Sequence, residues 1–382
     1  MATLNGAARA KSDAYFEGGY WLILWDALAA IIATLLVLRL GWAARLSALV
    51  RRSVRNRAVQ SFLFALVFML LFAVLTLPLA IYSEFFRERD YGLLNQNFAE
   101  WGLEAALVTL INSLIVAVLF IGIHAAIRRA PRDWWVLGSG ITITGLAFFI
   151  TIAPIYVEPL FNDYTPLPAG PVRDSVLSMA RANGVPADNV YLVDASRQSD
   201  RISANVAGLF GTTRIALNDN LLKQPVDEVR SVMAHELGHY VLNHIWKMLI
   251  TLALVVAIMF LLAARALPWL LARFGKSWGV TSLDDPAILP IGMLVLTVIG
   301  FAFTPIFNTL IRTQEIEADR FGLNAARAPE SFASVAMKLS QYRKIEPGPT
   351  EEALFFDHPS GHTRVATAMR WKAEHLGQSD IR

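Results

Sequence analysis

Ala234-His235-Glu236-Leu237-Gly238-His239-Tyr240-Val241-Leu242-Asn243-His244 closes a stretch, from Val226 onward, in which Val232, Leu237, Val241 and Ile245 recur with a helical period. An apolar run from Ile245 to Ala264 follows at once, long enough to cross a bilayer. A helix carrying two imidazoles and a carboxylate therefore abuts a membrane span. His235 and His239 stand four residues apart, so their side chains share one helix face and can bind a single zinc ion. Glu236, beside the first of them, can reach a water at the ion's open position and take its proton.

The composition agrees with a membrane setting. Of 382 residues, 55% are hydrophobic and 17% charged, against about 25% charged in ordinary soluble chains. The mean hydropathy is +0.45. Five further stretches besides Ile245–Ala264 are long and apolar enough to span: Tyr20–Trp42, Gln60–Tyr82, Gly102–Ile127, Trp134–Tyr156 and Ala287–Leu310. A net charge of +3 selects no partner and gives no reason to expect nucleic acid. The absence of cysteine excludes disulfides, thiolate ligands and a cysteine nucleophile. Residues 1–19 carry both signs of charge, unlike a simple secretory signal.

This gives four regions: a membrane region at 1–156, a soluble region ending in the His-Glu helix at 157–244, two further spans at 245–310, and a soluble region at 311–382. In the first soluble region Pro171 to Asn183 reads as an amphipathic helix stopped by Gly184. Val190–Val193 and Arg214–Leu217 read as strands. Asn205–Phe210 reads as a strand turning through Gly211-Thr212-Thr213, with an edge to which a substrate peptide could add. Glu104, within the third span, reads as an interfacial residue near its end.

A catalytic zinc needs a third protein ligand. The position ten residues after His235 is Ile245, and His244 falls one short, which excludes the three-histidine pattern of metzincins. Gln314-Glu315-Ile316-Glu317-Ala318-Asp319 offers an alternative: Glu315 and Asp319 share a helix face, the first suited to the metal and the second to the free N–H of a ligand histidine. Glu317 falls on another face and reads as solvated. A developing oxyanion needs a donor; His358, His362 and Arg364 are the candidates, with His362 reading as an ordinary surface residue.

Taken together these motifs resemble the type-one CAAX prenyl endopeptidases, membrane-embedded zinc metalloproteases of the gluzincin class. The resemblance runs from about Gln60 to the last helix. It rests on Pro154 to Leu167, on the spacing of Pro78, Tyr82, Phe85, Glu88, Gly92, Gln96 and Trp101, and on Ser203-Ala204-Asn205 with Gly208. It rests further on Arg214 to Leu217, Ala234 to His239, Arg312 to Glu315 with Ala318-Asp319, and His358-Pro359-Ser360 with Arg364.

The resemblance implies a mostly α-helical, polytopic bundle enclosing a chamber, capped by a protease domain with a small β-sheet. It implies one zinc on His235, His239 and Glu315, Glu236 as general base, Asp319 behind a ligand, Asn205 and Gly208 at the substrate, and His358 and Arg364 at the transition state. The expected partners are a peptide or protein substrate, prenylated or membrane-associated, and the lipid bilayer.

Six spans are read where the family usually has seven. The arginines after spans one, three and five (Arg45, Arg51, Arg52, Arg55 and Arg57; Arg128, Arg129 and Arg132; Arg265 and Arg273, with Lys276) would put the soluble regions outside by charge asymmetry. The family's arrangement puts them in the cytoplasm, which is the side adopted here, in a bacterial inner membrane. Two other readings compete with this one. A heat-shock-type quality-control metalloprotease shares the zinc helix with fewer spans. A silent scaffold or transporter retaining zinc would have no use for Glu236.

Overall fold

The computed structural model describes residues 5–208, 213–378 and 381. The chain opens with α1 (Gly6–Arg39), α2 (Trp42–Ser53) and α3 (Arg57–Ala80), continued through a π-helical turn, Ile81–Phe86, into the short α4 (Arg87–Asp90). Then come α5 (Phe98–Arg129) and α6 (Trp134–Ile152). Asn97 starts α5 with a reciprocal cap: its side chain accepts from the amides of Ala99 and Glu100, and Glu100 accepts from its amide.

The soluble part comprises β1 (Tyr164–Pro166), α7 (Pro171–Ala182), β2 (Val190–Val193), β3 (Ala204–Ala207), β4 (Arg214–Asn218), α8 (Asp219–Leu222) and α9 (Val226–Val241). The chain re-enters the apolar layer in α10 (His244–Trp278) and returns in α11 (Ile288–Ala326). It ends with α12 (Pro329–Leu339), α13 (Pro349–Phe355) and α14 (Gly361–Glu374).

Six helical segments among the described residues are long and apolar enough to cross a membrane; they contain four of the expected spans and all but the ends of the other two, the first stopping at Arg39 rather than Trp42 and the last starting at Ile288 rather than Ala287. Only 11–22% of their most apolar windows is buried. Few residues of each span are fully buried and many are only partly covered, as in the wall of a chamber rather than a packed bundle. One apolar core, including Phe64, Phe68, Phe120, Trp134, Trp278 and Ile288, closes the bundle at one end. There Arg51, Arg57 and Arg128 reach Asp284 and Asp285. The turns after the first, third and fifth spans thus converge, as the arginine pattern requires.

Four boundaries differ from the sequence reading. Trp42, expected to end the first span, and residues 43–53, expected as loop, form the amphipathic α2, which starts after Gly41 (φ 70°). The fifth span does not stop at Ala264: α10 continues past Arg265, Arg273 and Lys276 until Gly279 (φ 68°) caps it. The His-Glu helix ends at Val241, because Asn243 adopts the left-handed region (φ 56°) and turns the chain into α10. The last span runs on past Leu310 to Ala326 without a break.

The four strands form a mixed sheet in the order β1-β2-β4-β3, with β2 and β4 parallel and the other pairs antiparallel. Asn205 pairs with Ala216. As the outer strand of the sheet, β3 gives the expected edge over Ala204–Ala207, followed by Gly208 (φ 117°); the end of the expected strand and the first two residues of the expected turn, 209–212, lie outside the described residues. Beneath the sheet, α9 buries Val229, Met233 and Leu237, one residue every four, into a core with Val176, Ile215 and Leu217.

The neighbouring face of α9 lies against α11, whose buried residues Glu315, Ala318, Asp319, Gly322, Leu323 and Ala326 trace one helical stripe. The two helices approach closely where both lack a side chain. A Cβ on Gly322 would stand 3.1 Å from the His235 amide nitrogen and 3.2 Å from its Cα. A Cβ on Gly238 would stand 3.3 Å from Ala318 Cα. At Gly322 the atoms in the way are all backbone, so a methyl there pushes on the facing helix itself, whereas at Gly238 the Phe321 side chain is also in the way, at 3.1 Å. We expect Gly322→Ala to cost about 1–3 kcal/mol and to lower metal retention. Gly292→Ala, on the same helix with nothing within 4 Å of its Cβ, should do neither. Equal metal content and melting temperature in the two variants would contradict the close-crossing account.

Candidate metal centre

The crossing brings the imidazoles of α9 to the carboxylates of α11. His235 Nε2 and His239 Nε2 are 3.2 Å apart. Glu315 Oε2 lies 3.2 Å from the first and Oε1 lies 3.4 Å from the second. Donors bound at about 2.05 Å to a tetrahedral ion stand roughly 3.3 Å from one another, so the three side chains fit one metal as they stand. They are the group of three metal-ligating side chains within 4.8 Å found among the described residues. His235 and Glu315 are each 7% exposed, too dry for charged donors that lack a cation or a proton between them.

A second layer supports the donors. Asp319 Oδ1 is 2.8 Å from His235 Nδ1, at ion-pair distance. Arg364 grips Asp319 with two bonds, Nε to Oδ2 at 3.0 Å and Nη2 to Oδ1 at 2.5 Å, both groups being buried. His239 Nδ1 meets His244 Nδ1 at 2.9 Å, and His244 Nε2 reaches Glu317 at 3.1 Å. His244, set aside as a metal ligand from sequence, and Glu317, read there as solvated, thus form a chain behind the second imidazole, with Lys247 at its outer end. The left-handed turn at Asn243 makes that chain, and a helical reading through His244 hides it.

The C-terminal candidates separate. His358 puts Nε2 3.3 Å from Glu315 Oε2, with Nδ1 held 2.8 Å from Asp357 Oδ1. It lines the same cavity of about 160 Å³ as His235, Glu236, Glu315 and Arg364. His362 instead donates its backbone amide to the Ile345 carbonyl, and its side chain does not line that cavity. Arg364, expected beside His358 at the developing charge, is committed to Asp319. Asn205 Oδ1 is buried and has no hydrogen-bond partner among the described residues. Glu104 sits at the end of α5 that faces the soluble part, paired with Arg197 at 3.3 Å and Gln198 at 3.0 Å.

Burial pushes the Glu236 carboxyl up to about 7 against the pull of His235 and Arg364, into the range of a base that works near neutrality. Burial lowers His239 to about 4, with repulsion from His235 adding to it, so this imidazole is neutral and ready to ligate. For His235, burial also disfavours the charge, but the contacts with Asp319 and Glu315 outweigh it and lift the ring to about 10. In the metal-free site His235 thus keeps its proton at neutral pH, while the Glu236 carboxyl titrates there.

This fold and this site define a membrane-embedded metallopeptidase. The sequence model of Peptidase family M48 matches residues 166–372, and that of the CAAX prenyl protease N-terminal domain, five membrane helices, matches residues 2–163. The chain belongs to peptidase family M48 and is a membrane zinc endopeptidase. Within residues 2–163 the described structure holds four of its six spans. The chain is 28% identical over 334 residues to the uncharacterized metalloprotease YhfN of Bacillus subtilis, covering 86% of this chain and 78% of that protein. It is 27% identical over 350 residues to CAAX prenyl protease 1 of Saccharomyces cerevisiae, covering 85% and 75%. The crystal structure of Ste24p from S. mikatae shares the fold, with a TM-score of 0.81 at 22% identity over 94% of this chain and 89% of that one. These matches do not favour the heat-shock-type and scaffold readings.

A metal must displace the His235 proton. At any pH below about 10 the proton competes with the metal, so the apparent affinity should rise with pH, about tenfold per unit where one proton is lost. Titration calorimetry near pH 7.5 in buffers of different ionisation enthalpy should show about one proton released per zinc. No release, with affinity independent of pH, would contradict the protonated, metal-free site.

Proposed function

We propose that this chain cuts a prenylated or otherwise membrane-associated protein near its C-terminus, with zinc held by His235, His239 and Glu315. The observation that carries this reading is the ready-spaced donor triad beside Glu236, in a cavity that also takes in residues from the start of the exposed strand edge. The substrate class is carried over from relatives named CAAX prenyl proteases.

Zinc, when bound, supplies a Lewis acid for the scissile carbonyl and the attacking water. The substrate backbone lies along β3, where Asn205 offers its unpartnered side-chain oxygen and Gly208 leaves the backbone approachable. Glu236 takes a proton from the water as its oxygen attacks the carbonyl carbon, and delivers that proton to the amide nitrogen as the carbon–nitrogen bond breaks. His358 faces the carbonyl oxygen as negative charge grows there, its ring fixed by Asp357. Arg364 stands behind Asp319 and acts by fixing that carboxylate, which in turn aims the ring of His235.

Glu236→Gln should keep one zinc per chain and cut a farnesylated peptide ending in a CAAX sequence about 10²–10⁴-fold more slowly than wild type. Full activity in the zinc-loaded variant would sink the assignment. Wild-type protein that ignores the farnesylated peptide but cuts an unprenylated membrane-protein fragment would overturn the prenyl specificity.

The proposed setting is a bacterial inner membrane with the metal centre toward the cytoplasm. Because the chain has no cysteine, single substitutions report the orientation. A membrane-impermeant thiol reagent added to whole cells stripped of their outer layer should label Arg55→Cys and spare Asp174→Cys; the opposite pattern would place the site outside.

A further inference from the structure

The cavity at the metal centre does not end there. Ile202, Ser203, Tyr342 and Arg343 are shared with a second cavity of about 590 Å³. Its other walls are strongly aromatic: Tyr15, Phe16 and Tyr20 from α1 and Phe355 from α13. Three arginines and one carboxylate, Asp357, line it.

Two of the cations are already employed. Arg201 binds Glu88 at 2.6 Å and the Tyr15 hydroxyl at 2.7 Å, and Arg87 donates to the Tyr15 carbonyl and faces Glu88 at 3.5 Å. Asp357 is held by His358. Arg343 is different. Its guanidinium makes no hydrogen bond or close ion pair with any described residue, although it is only partly exposed; it lies in the field of Arg364 on one side and of the carboxylates Asp357 and Glu315, neither within bonding distance, on the other.

The position is built rather than incidental. The buried Ser12 hydroxyl reaches the carbonyls of Ser340 and Arg343, at 2.8 and 3.0 Å, and the next residue, Lys344, is tied to Glu17 and Glu351. A guanidinium on a cavity wall, its backbone held in place but its own N–H groups without a bonded acceptor, beside a site that gains further positive charge with its metal, is a receptor for an anion.

We propose that Arg343 anchors the terminal carboxylate of the substrate segment being released, whose apolar side chains occupy the aromatic cavity behind it. The fork geometry of the guanidinium suits a carboxylate held by two bonds. The inference rests on the proposed cut near a chain end. It adds to that reading a reason why the cut falls at a fixed short distance from the end: the cavity measures from the carboxylate.

The test uses the tripeptide Val-Ile-Met as free acid and as C-terminal amide, bound to zinc-loaded protein and followed by calorimetry or by inhibition. Wild type should bind the acid roughly 10–100-fold more tightly than the amide, the range for a charge-assisted contact. Arg343→Gln, with unchanged zinc content, should remove the difference, and Arg343→Lys should restore part of it. Equal binding of acid and amide by wild type overturns the proposal, as does an acid preference that survives in Arg343→Gln. A fall in kcat in Arg343→Gln that is equal for acid and amide substrates also overturns it, because it would place the guanidinium at the transition state. Failure to cleave any prenylated peptide would remove the proposed substrate class but leave the acid-against-amide comparison decisive.

Discussion

Everything at this site depends on how closely two helices can cross. The backbone of α11 passes the backbone of α9 at Gly322 and Gly238, where a single methyl would already be too near His235 or Ala318. That contact sets the distance between donors that sit on different helices and far apart in sequence. The helices also join two environments: α11 starts as a membrane span and carries Glu315 and Asp319 toward its other end. The metal centre is thus joined to the membrane wall by one continuous helix, which carries Pro305 on the way.

Close packing puts charge where water is scarce. Asp319 and Arg364 are 3% and 8% exposed, and such a pair holds only when its geometry is good and no partner is missing. Here the paired bonds from Arg364 satisfy Asp319 from one side and His235 meets it from the other, so each buried charge has an opposite neighbour. The arrangement orders the ligand ring before any metal arrives, at the cost of a proton the metal must displace. Glu236, on the other flank of His235, owes its raised proton affinity to the same dryness. The cluster is a unit in which position, protonation and metal binding cannot be changed separately.

How much of this was legible in the sequence follows from range. Features encoded within a few residues were readable. The spacing of His235 and His239, the shared face of Glu315 and Asp319, Gly184 ending α7, and the six apolar stretches each follow from helical or bilayer geometry. Features that need a distant partner were not. Gly238 and Gly322 look like ordinary small residues until the helices cross. Arg364 could be placed in the site by resemblance, but its commitment to Asp319 appears only when α14 packs on α11. His244 misled because the left-handed turn at Asn243 reverses the chain there. Arg343 carried no motif at all, since its meaning lies in what does not contact it.

The most direct measurement is anomalous diffraction at the zinc edge from crystals of the zinc-loaded protein. One strong peak is expected, about 2.0–2.2 Å from His235 Nε2, His239 Nε2 and a Glu315 oxygen, with Glu236 beside it and outside its coordination. A peak held by His244 or His358 in place of Glu315, or zinc bound elsewhere on the chain, would contradict the account of the crossing as the frame of the metal centre.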